Sequence, residues 1–313
     1  MKRIGSILIY LILLQGCMSD KKETLIPNVS VSSGQLYRIE NFESEHLPAR
    51  NVDIWLPDGY DENESYAVLY MHDGQMLFDA ATTWNGQEWG ADEVLGQLIK
   101  SGKIRKTILV SNWSTNDRHA EYFPQKPFES LSESFQDSLI NHAKRHGDTP
   151  LFSRTILSDQ YLKFLVTELK PYIDRHYSTL PDRENTFIAG SSMGGLISWY
   201  ALCEYPDVFG GAACLSTHWP GSFEAENNPI PAAFANYLDQ NLPAPGLHKI
   251  YFDYGTETLD AMYEPLQLKV DEVMKQKGYD ASNWTTLKFE GEDHSENAWK
   301  KRLHLPLEFL LAQ

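Results

Sequence analysis

Short apolar segments typical of buried strands alternate with segments of helical spacing along most of this 313-residue chain. Strands are predicted at 52–56, 67–71, 107–110, 186–189, 211–215, 250–254 and 285–289. Helices are predicted at 88–99, 161–177 with a kink at Pro171, 196–202, 265–277 and 297–311. Strands joined by helices usually pair in parallel, and the helices then cover both faces of the sheet. The alternation therefore predicts an α/β fold with a mainly parallel central sheet.

Two long segments, 114–155 and 219–245, interrupt this alternation with polar sequence in which prolines and aromatic residues are scattered. Insertions of this kind in α/β domains usually lie over the carboxyl edge of the sheet, where ligands bind. We therefore expect both insertions to lie over a functional site.

The chain is acidic, with 27 Lys and Arg against 43 Asp and Glu and a formal net charge of −16. Nucleic-acid binding needs a basic surface, and the sequence has no cluster of Lys and Arg. An electrostatic attachment to anionic lipid is disfavoured for the same reason. With 42% hydrophobic residues, the composition is that of a globular protein rather than a disordered one.

The N-terminus has the pattern of an export signal. Lys2 and Arg3 precede an apolar run at 4–14, which is too short to span a bilayer. The run ends in the residues LQGC, and this ending resembles a bacterial lipoprotein signal in which Cys17 is the lipidated residue. An ordinary signal peptide followed by a chance cysteine is the alternative.

Lipidation of Cys17 would place the protein in the bacterial cell envelope, held at a membrane by acyl chains. The sequence then divides into a signal peptide at 1–16, a polar tether at 17–34 and one folded domain at 35–313. The chain has three cysteines, too few for a disulfide scaffold. Cys203 and Cys214 lie in apolar sequence and are predicted to be buried thiols, with a bridge between them left open.

A G-x-S-x-G motif at 190–194 supplies a candidate nucleophile, Ser192. The motif follows a predicted strand and opens a predicted helix, which is the context of a nucleophile elbow. Side chains two residues before and two residues after the serine would collide in this sharp turn. Gly190 and Gly194 occupy these two positions and have no side chain to collide. The elbow also aims the Met193 N–H at a developing oxyanion. A glycine-rich turn without chemistry is the alternative.

A serine hydroxyl needs a base, and in this fold the chain order is serine, acid, histidine. Of the histidines after Ser192, His294 is the preferred base because it lies in the loop between the last strand and the last helix. His218 is the alternative, and it could instead line the pocket. His248 begins a strand, and His304 lies within the last predicted helix, so both fit the role less well.

The acid that orients the base should lie on the turn after the strand at 250–254. Two carboxylates qualify, Asp260 and Glu257, and Asp260 is preferred because aspartate dominates this role. A solvated loop carboxylate is the alternative interpretation of either residue.

A second oxyanion donor is expected after the strand at 67–71, where Gly74 lets the backbone approach closely and the Gln75 N–H is the candidate donor. His72 and Asp73 in the same turn could suggest a metal site, but no further ligands fall at zinc spacing. A packed loop is therefore the preferred interpretation, and the predicted chemistry requires no metal and no cofactor.

Several of these motifs together resemble the "Putative esterase" family of α/β-hydrolases. The resemblance spans roughly 35–313, and its members include esterase-D-like enzymes, feruloyl and acetyl-xylan esterases and enterobactin-type siderophore esterases. It rests on YMHDGQMLFD at 70–79, the elbow at 190–194, YPDVF at 205–209, and HSE at 294–296 with Trp299.

This resemblance implies Ser192 as nucleophile, His294 as base, Gln75 as an oxyanion donor and an acid in the turn at 257–260. Relatives often carry an aspartate three residues after the turn glycine, where this chain has Thr258, so the acid fits the pattern least well.

The resemblance also implies substrate-facing residues in the two insertions. Arg118, Tyr122 and Pro124 match a family segment at the rim of the active site, and His218 and Trp219 occupy positions that face substrate in relatives. Gly74 completes the predicted substrate-binding set. A packed loop is the alternative for the insertion residues.

These observations predict a serine-dependent carboxylic ester hydrolase that acts on an extracytoplasmic small-molecule or carbohydrate ester. An acetyl or feruloyl carbohydrate ester and a siderophore ester are both compatible with the resemblance. A non-catalytic polysaccharide- or siderophore-binding lipoprotein on the same fold and an acyltransferase are the alternatives.

Overall fold

The computed structural model describes residues 23–26, 28–145, 147–153, 155–224 and 227–312. The predicted signal peptide and Cys17 lie outside these residues. No helix in these described ranges is both long and apolar enough to cross a membrane.

A mixed sheet runs through the described part of the chain in the order β1-β2-β3-β5-β4-β6-β7-β8-β9. The pairings from β1 to β5 are antiparallel, and those from β5 through β4 to β9 are parallel. The strands are β1 (Thr24–Leu25), β2 (Gln35–Phe42), β3 (Arg50–Leu56), β4 (Ala67–Met71), β5 (Thr107–Asn112), β6 (Thr186–Ser191), β7 (Gly211–Leu215), β8 (Lys249–Gly255) and β9 (Trp284–Phe289).

Helices of unequal length connect these strands. They are α1 (Ala91–Lys100), α2 (Arg118–Tyr122), α3 (Gln125–Glu129), α4 (Glu133–His142), α5 (Ser158–Phe164), α6 (Lys170–His176), α7 (Met193–Glu204), α8 (Ile230–Asn241), α9 (Glu264–Gln276), α10 (Glu296–Arg302) and α11 (His304–Leu311). Short 3₁₀ turns at Gly74–Met76 and Thr258–Met262 follow β4 and β8.

Both faces of the sheet are covered, as the central strand β4 shows. Its five residues are all buried. Val68 and Tyr70 belong to one hydrophobic cluster, whereas Ala67, Leu69 and Met71 belong to a second cluster. Because successive side chains of a strand point to opposite faces, the two clusters lie on the two sides of the sheet. The predicted α/β-hydrolase fold is confirmed.

Most predicted elements are present, but three expectations need correction. The predicted closing helix is two helices, α10 and α11, separated at Leu303. The predicted helix at 161–177 consists of α5, a π-helical segment at Leu165–Leu169 and α6, and the π-helical segment ends two residues before Pro171. A proline lacks the N–H of the regular helical bond, so the changed bonding pattern accommodates it.

Residues that pair with the sheet begin before residue 35, where the predicted tether ends. Thr24 and Leu25 pair with Arg38 and Tyr37 of β2, and the Ser32 N–H donates to Asp92 at 2.5 Å. Backbone groups that pair with the sheet edge gain hydrogen bonds that a solvated tether would lack. The folded domain therefore includes described residues from the predicted tether segment.

The parallel strands place six chain segments at one edge of the sheet. The segments after β4, β5, β6, β7, β8 and β9 all leave from the carboxyl ends of parallel neighbours. This edge is where open α/β sheets bind ligands.

Candidate active site

Ser192 lies between β6 and α7 in a backbone conformation that few non-glycine residues adopt. Its φ is 57° and its ψ is −118°. The Ser192 N–H donates to the Leu215 carbonyl at 2.9 Å, and its own carbonyl accepts from Gly195 at 3.1 Å. Such strain persists only where the surroundings impose it, and it is typical of functional sites.

The glycines around Ser192 differ in how tightly they are packed. A Cβ on Gly190 would lie 2.9 Å from both the Gly194 carbonyl carbon and the His72 ring, so a side chain is excluded there. A Cβ on Gly194 would lie 3.4 Å from His72, which is an ordinary contact. A Cβ on Gly195 would lie 2.8 Å from Thr217. The close approach is therefore at Gly190 and Gly195, rather than at Gly194 as the motif suggests.

The structure brings His294 and Asp260 together. His294 Nδ1 lies 2.5 Å from Asp260 Oδ1, and the carboxyl group is buried. Glu257, the alternative acid, is exposed. Burial alone would raise the pKa of Asp260, but the interactions with His294, Ser216 and the Gly255 N–H together hold this pKa below its usual value.

The second oxygen of Asp260 is also fixed. Its Oδ2 accepts hydrogen bonds from Ser216 Oγ at 2.5 Å and from the Gly255 N–H at 2.6 Å. Ser216 Oγ in turn accepts from Trp299 Nε1 at 3.0 Å and from Arg302 at 2.9 Å. This network ties the acid to β7 and α10, so the direction of the carboxylate is set by buried groups.

The loops that carry Asp260 and His294 are bonded to each other. The Glu292 carbonyl accepts from the Thr256 and Glu257 N–H groups at 3.0 and 3.1 Å. The His294 N–H donates to Thr258 Oγ1 at 2.9 Å, and Thr258 has a φ of 53°. These bonds fix the separation of the acid and the histidine.

The turn after β4, which carries the predicted oxyanion donor Gln75, is held in place by side-chain hydrogen bonds. Gln75 lies in the 3₁₀ turn Gly74–Met76, and its side chain bonds both the hydroxyl and the N–H of Ser114, at 2.6 and 3.1 Å. A Cβ on Gly74 would lie 2.7 Å from the Ser111 hydroxyl, so only glycine fits. Met193 is the first residue of α7, where N–H groups have no partner inside the helix.

Arg118 of the first insertion holds this turn from outside. Its guanidinium donates to both Asp73 oxygens, at 2.6 and 2.7 Å, and Asp73 has a left-handed φ of 55°. Burial opposes the charge of Asp73, but the Arg118 charge outweighs it and lowers the pKa of that carboxyl. Burial also lowers the pKa of His72 to about 3, so His72 is neutral. The pairing of Asp73 with Arg118 supports a packed loop rather than a metal site.

Two predicted substrate-facing residues are corrected by their burial. Tyr122 is 0% exposed and its hydroxyl accepts from the Asp73 N–H at 3.4 Å, so it supports the turn after β4. Trp219 is 1% exposed and donates to Gln267 at 2.7 Å. Neither side chain is open to a substrate, because both are enclosed by the core.

Tyr263 is a site residue that the motifs did not indicate. It follows Asp260 by three residues, is 0% exposed, and its hydroxyl lies 2.8 Å from His218 Nδ1. The Tyr263 ring also stands edge-on to His294, with 5.9 Å between the ring centroids. Its position directly after the turn that carries Asp260 is the sequence signal that could have indicated Tyr263.

Among the described residues, no group of three or more His, Cys, Asp or Glu side chains is arranged to hold a metal ion. Cys203 and Cys214 are buried and not bonded to each other. Burial raises the pKa of both thiols, so neither is a reactive thiolate at neutral pH.

A strained serine after β6, with a paired histidine and aspartate at the same sheet edge, defines the chain as an α/β-hydrolase. The family model described as "Putative esterase" matches residues 47–140 and 152–308. The chain therefore belongs to this family of carboxylic ester hydrolases, and the resemblance in its motifs is confirmed.

Two curated relatives are similar over part of their length. The chain is 24% identical over 216 residues to "Uncharacterized protein YbbA" of Bacillus subtilis (strain 168), covering 68% of this chain and 71% of that protein. It is 25% identical over 191 residues to "Endo-1,4-beta-xylanase/feruloyl esterase" of Xylanibacter ruminicola. The second alignment covers 59% of this chain and only 22% of that relative.

Solved structures share the fold at low identity. A ferulic acid esterase of Anaeromyces mucronatus, solved with ferulic acid, has a TM-score of 0.60 and 20% identity, covering 93% of this chain and 94% of that one. The enterochelin esterase of Shigella flexneri has a TM-score of 0.58 and 16% identity, covering 85% of this chain and 56% of that one.

Proposed function

We propose that this protein hydrolyses an extracytoplasmic carboxylic ester with Ser192 as nucleophile, His294 as general base and Asp260 as the acid that orients it. The observation that carries the proposal is the His294–Asp260 hydrogen bond, at 2.5 Å, on the same sheet edge as the strained Ser192. In a serine hydrolase the acid fixes the tautomer of the imidazole, and the imidazole accepts the serine proton.

The proposed reaction has two halves. Ser192 Oγ attacks the ester carbonyl while His294 takes its proton, and the protonated His294 then gives that proton to the departing alcohol. The N–H groups of Met193 and Gln75 stabilise the oxyanion. Water releases the acyl group from Ser192 and restores the free serine.

Replacement of the nucleophile tests the proposal. Ser192→Ala should abolish turnover of short-chain p-nitrophenyl esters, because no other hydroxyl occupies the position between β6 and α7. Ser191→Ala is the matched control, since Ser191 is the buried neighbour within β6 and has no assigned role. Unchanged turnover by Ser192→Ala would contradict the proposal.

For the substrate we propose an acetyl- or feruloyl-type carbohydrate ester. The similar proteins named as ferulic acid or feruloyl esterases support this choice, and the Anaeromyces mucronatus structure matches over nearly its whole length. The enterochelin esterase match makes a siderophore ester the alternative. Turnover of methyl ferulate or acetylated xylan favours the first class, whereas turnover of a siderophore trilactone alone would reject it.

We also propose that the protein is attached to the bacterial cell envelope by acyl chains on Cys17. The support is the sequence pattern of a short apolar run ending in LQGC. Cys17→Ser should move the protein from the membrane fraction to the soluble fraction, and an unchanged membrane fraction would reject the lipid anchor.

A further inference from the structure

One tryptophan of the chain lies in solvent. Trp84 is 80% exposed, whereas the other tryptophans are buried or half-buried. An exposed tryptophan forgoes the burial by which so large an apolar side chain stabilises a fold. Because single exposed apolar residues are common on protein surfaces, the position of Trp84 in the fold decides whether its exposure has a use.

The exposed tryptophan belongs to a segment that starts and ends beside the turn after β4. We call residues 79–90 the rim segment. Near its end, the Trp89 N–H donates to the Met76 carbonyl in that turn at 3.0 Å. The Ala80 N–H donates to the Glu88 carboxylate at 2.7 Å, which closes the rim segment on itself. The rim segment is therefore held in one conformation next to the turn that carries the predicted oxyanion donor.

The middle of the rim segment is bonded to helix α10, directly after the proposed general base. Asn85 Nδ2 donates to the Glu296 carboxylate at 2.9 Å, and the Asn297 N–H donates to the Gln87 side chain at 3.2 Å. Glu296 follows His294 by two residues. The exposed tryptophan directly precedes Asn85, so it lies on the His294 side of the active site.

The His294 side is where the alcohol of an ester leaves. In the proposed reaction the protonated His294 gives its proton to the departing alcohol, so the alcohol oxygen lies within hydrogen-bond reach of the imidazole. The acyl carbonyl oxygen points instead at the oxyanion donors. The rest of a large alcohol therefore extends over the loops around His294, toward the rim segment and Trp84.

The surroundings of Trp84 match the chemistry of a sugar ring. Its neighbours in the rim segment are small or polar, and they are Ala81, Thr82, Thr83, Asn85 and Gly86. A pyranose ring has C–H groups on its faces and hydroxyls around its edge. Such a ring covers a flat apolar side chain while its hydroxyls stay with polar groups and water.

Charge and patch size disfavour other large ligands. The rim segment contains Asp79 and Glu88, and the formal net charge of the chain is −16, so an anionic polymer is repelled. A lipid surface binds a broad apolar face flanked by basic residues, whereas the neighbours of Trp84 are small or polar. The ligand chemistry that remains is a neutral glycan.

We propose that Trp84 is a stacking surface for a sugar ring of a neutral glycan that carries the ester on one of its hydroxyls. This binding site rests on the hydrolysis of a carbohydrate ester proposed above. Because the rim segment is closed by its own hydrogen bonds, the stacking surface exists before the substrate arrives, and binding requires little ordering.

Two acetyl esters that differ only in the alcohol test this site. We expect Trp84→Ala to lower the ratio of kcat/KM for acetylated xylan oligosaccharides to kcat/KM for ethyl acetate by about three- to tenfold. The loss should appear mainly as a higher KM for the oligosaccharides, because stacking acts in the ground state and the transition state alike. Release of acetate measures both reactions.

Two further variants distinguish stacking from general apolar contact. Trp84→Tyr keeps an aromatic face and should retain most of the ratio, whereas Trp84→Leu should lose it as Trp84→Ala does. Leu247→Ala is the matched control. Leu247 is 63% exposed but lies before the amino end of β8, at the opposite edge of the sheet, so its ratio should equal that of the parent.

A structural role for Trp84 would lower the turnover of both esters equally. An unchanged ratio in Trp84→Ala therefore overturns the proposal. If the parent releases no acetate from the oligosaccharides, electrophoresis through a gel that contains xylan replaces the ratio. The xylan should then retard Ser192→Ala more than Ser192→Ala with Trp84→Ala, and equal migration overturns the proposal.

Vesicles of phosphatidylcholine test the lipid alternative with the Cys17→Ser protein, so that acyl chains do not contribute. Loss of vesicle binding in Trp84→Ala, together with an unchanged ratio, would assign Trp84 to a lipid surface and reject the glycan site. Failure of the hydrolase assignment would be seen separately, as ethyl acetate turnover that Ser192→Ala does not reduce.

Discussion

The orientation of the Asp260 carboxylate is tightly constrained by its hydrogen-bond partners. One oxygen faces His294 and the other accepts from Ser216 and Gly255, so rotation of the carboxylate would break three hydrogen bonds at once. A carboxylate fixed in this way holds the imidazole with its Nε2 lone pair available to a serine.

Paired amide substitutions distinguish Asp260 from Glu257. Asp260→Asn should lower kcat by about 10²–10⁴, because the amide can stabilise the wrong tautomer of His294. Glu257→Gln should retain activity within about twofold, since Glu257 is exposed and an exposed charge contributes little. Steady-state kinetics on p-nitrophenyl acetate measures both. A larger loss in Glu257→Gln than in Asp260→Asn would reverse the assignment of the acid.

Motifs identify reacting residues better than the residues that support them. The elbow and the terminal histidine loop have fixed spacing, so Ser192 and His294 could be predicted from the sequence. The acid remained a choice between two carboxylates, because the return of the turn toward His294 depends on the Thr258 conformation. Tyr263 follows no motif, and the burial of Tyr122 and Trp219 depends on packing of distant segments.

At the scale of elements, the first insertion is joined to the turn after β4 by one ion pair. Helix α2 begins at Arg118. The two hydrogen bonds from Arg118 to Asp73 hold the residue at the start of the turn, which has a left-handed backbone conformation. Planar guanidinium matches a carboxylate at both oxygens, which an ammonium group cannot do. Through this ion pair, the first insertion therefore helps to fix the conformation of the turn after β4.

Arg118→Lys should separate a positioning role from substrate binding. We expect kcat to fall about tenfold with little change in KM, because a loosened turn weakens donors that act in the transition state. Arg183→Lys, in the surface pair with Glu184, is the control and should match the parent. A raised KM with unchanged kcat would show instead that Arg118 binds the substrate.

The elements that could be predicted are those with strong local periodicity. Strands β4 and β7 have the predicted bounds because each is a buried apolar run between breakers. The sequence does not predict strand β2 or helix α4 of the first insertion, because most of their residues are exposed or only partly buried and give no clear period. The break at Leu303 separates two helices whose sequences read as one.

At the scale of the whole molecule, the net charge predicts a substrate preference that the fold alone does not. The chain has a formal net charge of −16, and Arg118 near the site is neutralised by Asp73. An acidic protein repels anionic ligands over a distance set by the ionic strength. Substrate preference should therefore depend on the charge of the ester.

A neutral ester and an anionic analogue of the same length test this. We expect kcat/KM for mono-p-nitrophenyl succinate to be lower than for p-nitrophenyl butyrate at low salt. Raising the salt toward about 0.3 M should narrow the difference, because screening shortens the reach of the repulsion. Equal values for the two esters at low salt would contradict this role of the charge.

Covalent labelling tests the central claim, that Ser192 is the activated nucleophile of an ester hydrolase, most directly. A fluorophosphonate should add once per chain, and mass spectrometry of the digested protein should place the adduct on the peptide that contains Ser192. Esterase activity should fall in proportion to the labelled fraction. An adduct on another residue, or full labelling with activity retained, would contradict the account.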